Sequence, residues 1–208
     1  MITDNAFTTA QEQFWAGQFG NEYVDRNAAE QLLVSNTALF AEILRRTESI
    51  DSVIEFGANI GMNLHALRRL LPESKFHAVE INSKAAEQLR KAEFVNVIED
   101  SILTFQPSAP CELAFIKGVL IHIDPERLGD VYDRLYAASS KYVCVVEYYN
   151  PTPVELNYRG HEGKLFKRDF AGEILDRFDD LRLVDYGFVY RRDRFPQDDL
   201  TWFLMEKR

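Results

Sequence analysis

The chain has 208 residues, with 24 Lys and Arg against 33 Asp and Glu, a formal charge of −9, and 46% hydrophobic residues. That length and balance fit one globular domain able to bury its own core, and the acidic surplus argues against nucleic-acid or anionic-membrane partners. No apolar run reaches the ~20 residues of a membrane span, and Met1 to Trp15 lacks a basic stretch followed by an apolar core, so neither a span nor a signal peptide is expected.

Residues 1–49 stand apart as a helical N-terminal cap. Helical stretches over Thr8 to Phe19 and Ala28 to Arg46 flank a loop, Gly20 to Asn27, and such an extension either lies over a ligand crevice or packs on a sheet face. From residue 50 to 208, short apolar runs alternate with amphipathic helices. Asp51 to Phe56 reads as a buried strand, Gly57 to Gly61 as a turn, and Met62 to Leu71 as a helix ended by Pro72. A second strand, Lys75 to Glu80, precedes a helix from Ser83, the expected N-cap, to Ala92. Strands follow at Val95 to Ile98, Leu113 to Ile116 and Tyr142 to Tyr148, with a helix from Pro125 to Ser139 before the last of these. Pro151 to Lys167 has little periodicity and reads as a long connection, a lid or binding loop. A helix from Arg168 to Phe178 and two strands, Leu181 to Val189 and Leu200 to Glu206, complete the chain. The pattern predicts an α/β, Rossmann-like fold. About seven mostly parallel strands carry helices on both faces, with one strand antiparallel at the edge.

The strongest local signal is Glu55-Phe-Gly57-Ala58-Asn59-Ile-Gly61-Met-Asn63. A strand ends, glycines permit a tight turn, and a helix begins with free N–H groups and a positive dipole end. Glu80 ends the next strand 19 residues after Gly61. A carboxylate there can accept both ribose hydroxyls of a nucleoside. The middle glycine of the dinucleotide fingerprint is missing. The Glu-x-Gly-x-x-x-Gly form instead resembles motif I of class I methyltransferases that use S-adenosylmethionine, and Ile98-Glu-Asp100-Ser101-Ile102 resembles their adenine-binding patch. The resemblance implies that Gly57, Ala58, Asn59 and Gly61 hold the methionine part and Glu80 the ribose, with Asn63 also a cofactor contact. Asp100 and Ser101 then meet the adenine amino group, with Ile102 against the ring.

Longer stretches resemble proteins known as pseudaminic-acid-biosynthesis-associated methylases. These are Phe14-Trp15-x-Gly17-x-Phe19-Gly20-x-x-Tyr23-x-x-Arg26-Asn27, Phe115-Ile-Lys117-Gly118, Glu147-Tyr148-Tyr149-Asn150-Pro151, Tyr158-Arg159-Gly160-His161, Asp185-Tyr186-Gly187-Phe188 and Asp198-Asp199-x-x-Trp202. The group is also similar to small enzymes of methyltransferase fold that cyclise S-adenosylmethionine to azetidine-2-carboxylate.

Methyl transfer needs a nucleophile in line with the sulfonium and a site that excludes water. Tyr149, Asn150 and Tyr186 are the candidates for shaping the reacting end. Asn offers a carbonyl acceptor for an amine, and Tyr a face for a cation. Tyr148, Tyr158 and Arg159 are candidate substrate contacts. Tyr23, Arg26 and Lys117 are candidates for the cofactor's methionine end, although Arg26 also has Glu22 and Asp25 as surface partners. His122 is either a base or a packed histidine before the helix that Asp124 caps. Four scattered histidines offer no metal spacing, so no metal is expected. Cys111 and Cys144, in apolar stretches, fit buried thiols of a cytoplasmic protein. Three functions remain open: methyl transfer to a small molecule, cyclisation of the cofactor with release of methylthioadenosine, and cofactor binding without reaction.

Overall fold

The computed structural model describes residues 7–26 and 30–208, with the backbone alone for Asp25, Arg26 and Glu30. Three helices come first, α1 (Ala10–Ala16), α2 (Gln18–Arg26) and α3 (Glu30–Leu44). Then follow β1 (Ser52–Phe56), α4 (Met62–Leu70), β2 (Lys75–Glu80), α5 (Ser83–Leu89), β3 (Val95–Glu99), β4 (Cys111–Lys117), α6 (Leu128–Ala137) and β5 (Ser139–Glu147). A hairpin of β6 (Val154–Tyr158) and β7 (His161–Lys167) precedes α7 (Phe170–Arg177), β8 (Leu181–Val189) and β9 (Leu200–Lys207).

Seven strands form one sheet in the order β3-β2-β1-β4-β5-β9-β8. Helices cover both faces, so the inner strands read as continuous apolar runs; β1 is buried from Val53 to Phe56. On one face, Phe56, Ile116, Val131, Leu135, Phe170 and Ile174 pack together. On the other, Val53, Leu64, Leu67 and Phe115 meet Leu39, Phe40 and Ile43 of α3, with Phe40 and Phe115 edge to face at 5.3 Å. The α3 helix is therefore part of the core, whereas α1 and α2 fold across the carboxyl ends of the strands. Strand β1 pairs in parallel with β2 on one side and β4 on the other. The chain runs outward to β3 and returns across β1 to β4, which makes the gap above β1 and β4 the topological switch point.

Four expectations need correction. The antiparallel strand is β9, and it lies inside the sheet between β5 and β8. Residues 151–167 are no structureless connection but the β6–β7 hairpin. Its turn, Arg159-Gly160, has φ of +52° and +87°, the doubly left-handed pattern of a two-residue turn, and Asn157 Oδ1 accepts the Gly160 N–H at 2.8 Å. Asn82, not Ser83, caps α5, its side chain accepting the Ala85 N–H. The first helix breaks at Gly17, and the supposed loop from Gly20 is helical as far as Arg26. Asn82 Nδ2 donates to Trp15 O and Asn21 Oδ1, each at 3.0 Å, and so bridges that break. Asn27 lies outside the described residues. Cys111 and Cys144 are free and buried, and burial pushes the Cys144 thiol up to about 12. No helix among the described residues is long and apolar enough to cross a membrane.

Candidate active site

A cavity of about 480 Å³ opens at the switch point. Its floor is the turn after β1. Gly57 and Gly61 stand at φ of +76° and +81°, with Asn59 left-handed between them at +50°. A Cβ on Gly57 would come within 2.6 Å of Val119 Cγ2, and one on Gly61 within 2.3 Å of Leu89 Cδ1. The left-handed backbone strains any other residue at these two positions, and an added Cβ would also force Val119 and Leu89 to shift. Glu80, at the end of β2, is buried beside the turn. One oxygen accepts the Asn59 N–H at 2.6 Å and the other the Asn82 N–H at 2.8 Å. Each oxygen keeps a second lone pair, enough for two vicinal hydroxyls. Burial is the largest influence on this carboxyl and raises its pKa, against the backbone donors that lower it.

Beneath the ends of β1, β4 and β5 lie three more ionisable groups. Glu55, fully buried, accepts Asn63 Nδ2 at 2.6 Å. Glu147 Oε1 accepts the N–H groups of Val119 and Leu120, both at 2.8 Å, and so anchors the turn after β4. Burial raises Glu55 to about 8 and Glu147 to about 7, and it lowers Lys117, which lies in the field of both and of Asp198. Both carboxyls keep their proton above the unfolded-state pKa of about 4.3. Their contribution to stability is thus full below that pKa and is lost as pH rises through 7 to 8. Between pH 6 and 8.5 the melting temperature is expected to fall in the wild type and to fall less in Glu55→Gln. An equally steep fall in the variant would exclude Glu55 as its source.

The roof is built from α1, α2 and the hairpin. Thr9 and Glu12 form a reciprocal cap on α1, and Glu12 also accepts the Ser101 hydroxyl at 2.5 Å, which ties the helix to the turn after β3. Gln11 Nε2 donates to Gly163 O at 3.2 Å, tying α1 to the hairpin. Trp15 packs against His122 at 4.6 Å between ring centroids, and His122 against Tyr158 at 4.8 Å. His122 Nδ1 lies 2.6 Å from Lys164 O, so that nitrogen carries the proton; burial lowers the imidazole to about 4 and keeps it neutral.

The cavity lining brings together Tyr23, Gly57, Ala58, Asn59, Asn63, Glu80, Ser101, Ile102, Lys117, Tyr148, Tyr158 and Arg159 from the sequence candidates, with His122. Gly61 lies behind the floor as the N-cap of α4, and Asp100 turns its carboxylate onto Ser101 N–H and the Thr104 hydroxyl. Tyr149, Asn150 and Tyr186 are not in the lining. Tyr149 and Tyr186 both pack on Phe203 at 6.0 Å and are exposed, while the Asn150 amide donates to Thr152 O within its own turn. The Arg26 side chain lies outside the described residues. The lining also includes Glu12, Asn36, Asn82, Gln197 and Asp198, to which the sequence reading gave no ligand role. One signal was present: Asn36 interrupts an apolar helical stretch, and it is buried, accepting Gln197 Nε2 at 3.0 Å.

No family model and no curated protein sequence matches the chain. Solved structures do match along nearly its whole length. The plantazolicin methyltransferase BpumL, solved with S-adenosylhomocysteine, superposes with a TM-score of 0.65 at 13% identity, over 96% of this chain and 95% of that one. The 1,6-didemethyltoxoflavin-N1-methyltransferase of Burkholderia thailandensis gives 0.67 at 15% identity, over 99% and 93%. An S-adenosylmethionine-dependent methyltransferase of Leishmania major gives 0.70 at 14%, over 98% and 88%. The chain thus has the Rossmann-like fold of the class I S-adenosylmethionine-dependent methyltransferases.

Proposed function

We propose that this protein binds S-adenosylmethionine and transfers its methyl group to a small molecule. One observation carries the reading. The left-handed turn Gly57–Gly61 and the Glu80 carboxylate meet in one cavity at the switch point, with lone pairs free for a ribose. In this reading Glu80 holds the ribose, Ser101 and Ile102 border the adenine, and Asn59, Asn63 and Lys117 face the methionine end. The methyltransferases of like fold, solved with S-adenosylhomocysteine, support the choice of cofactor. When bound, that cofactor supplies an electrophilic methyl group on a sulfonium. The protein's own part is to orient the two reactants and to exclude water, which the roof of α1, α2 and the hairpin does.

The same roof favours a second reading, cyclisation of the cofactor to azetidine-2-carboxylate. The rings of Trp15, His122 and Tyr158 pack together along the cavity, and an internal reaction needs no second substrate. Incubation of the purified protein with S-adenosylmethionine alone, followed by mass spectrometry, separates the two. Intact cofactor that stays bound is the result expected for methyl transfer. Methylthioadenosine would replace that reading with cyclisation, and no binding at all would overturn both.

A further inference from the structure

One end of the cavity has no part in holding a nucleoside. It is walled by Lys117 and Tyr148 at the ends of β4 and β5, by Asn36 of α3, and by Gln197 and Asp198 just before β9. Tyr148 donates its hydroxyl to Asp198 Oδ2, which fixes the carboxylate at the mouth of the cavity. Among the described residues no hydrogen bond reaches Asp198 Oδ1, and Lys117 lies in the field of the carboxylate. Elsewhere in the lining, the acceptors Asn59 Oδ1 and Asn63 Oδ1 and the donor Trp15 Nε1 are buried without a partner. A carboxylate oxygen left open at the cavity is complementary to an N–H donor, and to a nitrogen that becomes cationic.

We propose that Asp198, oriented by Tyr148, receives the nitrogen of a primary or secondary amine, and that this amine is the group alkylated. The assignment deepens the cofactor reading above and rests on it. The amine lone pair forms the new N–C bond as the S–C bond breaks, and sulfur keeps that electron pair. The positive charge passes from sulfur to nitrogen, where the Asp198 carboxylate faces it. The alkylated ammonium then releases its extra proton through Asp198 to solvent at the mouth. Asp198 is exposed there, so the proton has a direct path out. Tyr148 is a positioning residue: it sets the carboxylate and leaves one oxygen for the substrate.

The test uses binding, with S-adenosylhomocysteine and sinefungin as the two probes. In sinefungin a carbon bearing an ammonium replaces the sulfonium sulfur and its methyl, so a charged nitrogen is carried to the reacting position. Calorimetry is expected to show wild type preferring sinefungin. Asp198→Asn keeps an oxygen for the Tyr148 hydroxyl, and is expected to weaken sinefungin about tenfold or more while moving S-adenosylhomocysteine by less than about threefold. Tyr148→Phe is expected to shift the ratio in the same direction by less, and it decides the matter if Asp198→Asn does not fold. A ratio unchanged in the folded variants overturns the assignment and leaves the cofactor reading standing. Failure of wild type to bind either probe overturns the cofactor reading, and the assignment falls with it.

Discussion

Replacing Glu80 by alanine is expected to weaken S-adenosylhomocysteine binding by well over tenfold, read by titration calorimetry. In the proposed reading two hydrogen bonds from ribose hydroxyls to the Glu80 carboxyl are lost together. The substitution has a second effect on the same site. Glu80 also accepts the N–H groups of Asn59 and Asn82, which fix the floor turn and the start of α5. Alanine releases both, so the floor loosens as the ribose partner disappears. Glu80→Gln separates the two effects, because its amide oxygen still accepts one of those N–H groups without the charge. Affinity near wild type in Glu80→Ala, with the fold intact by circular dichroism, would remove Glu80 from the ribose site.

The largest loss of stability is expected at Glu147. In Glu147→Ala the N–H groups of Val119 and Leu120 lose their acceptor, and Leu120 is fully buried. A buried donor left without a partner costs about 1–3 kcal/mol, so the pair is expected to cost about 3 kcal/mol. Removing the burden of a buried carboxyl offsets part of this and is included in that figure. For a chain of this size that corresponds to a drop of about 6–12 °C in melting temperature. Glu147→Gln keeps the accepting oxygen and is expected to melt within about 3 °C of wild type. Equal losses in the two variants would show that Glu147 acts through its charge on Lys117 rather than through the turn after β4.

Much of the fold was legible because its signals are local. Apolar runs of strand length separated by amphipathic helices already specify a parallel sheet with covered faces, and a strand–glycine turn–helix followed by Glu80 marks the crevice. The interior place of β9 was not legible. Two successive strands imply antiparallel pairing, but their order in the sheet depends on which of them finds β5. The hairpin escaped notice because its turn is Arg-Gly rather than Asn-Gly, with Asn157 contributing two residues earlier. The break at Gly17 depends on Asn82, 65 positions later, whose side chain reaches the carbonyls there.

In the site, the residues of the floor announce themselves by type and spacing, whereas those of the acceptor end meet only by folding. Gln197 and Asp198 reach the cavity where Gln197 bonds to Asn36 of α3, a contact without local periodicity. Tyr148 and Tyr149 show how one position decides a role. Successive residues at a strand end face opposite ways, so Tyr148 enters the lining and Tyr149 turns to Phe203. The sequence offered both rings equally.

Helix α1 has only seven residues, under two turns, and a helix that short has little stability of its own in water. Its order comes from the Thr9–Glu12 cap and from contacts with the rest of the site: Glu12 on Ser101, Gln11 on the hairpin, Trp15 against His122. Loss of the contacts outside the helix is therefore expected to melt it. Were a ligand to enter with α1 displaced, its capture would be coupled to the refolding of seven residues, and its heat-capacity change would be more negative than burial of the ligand alone accounts for.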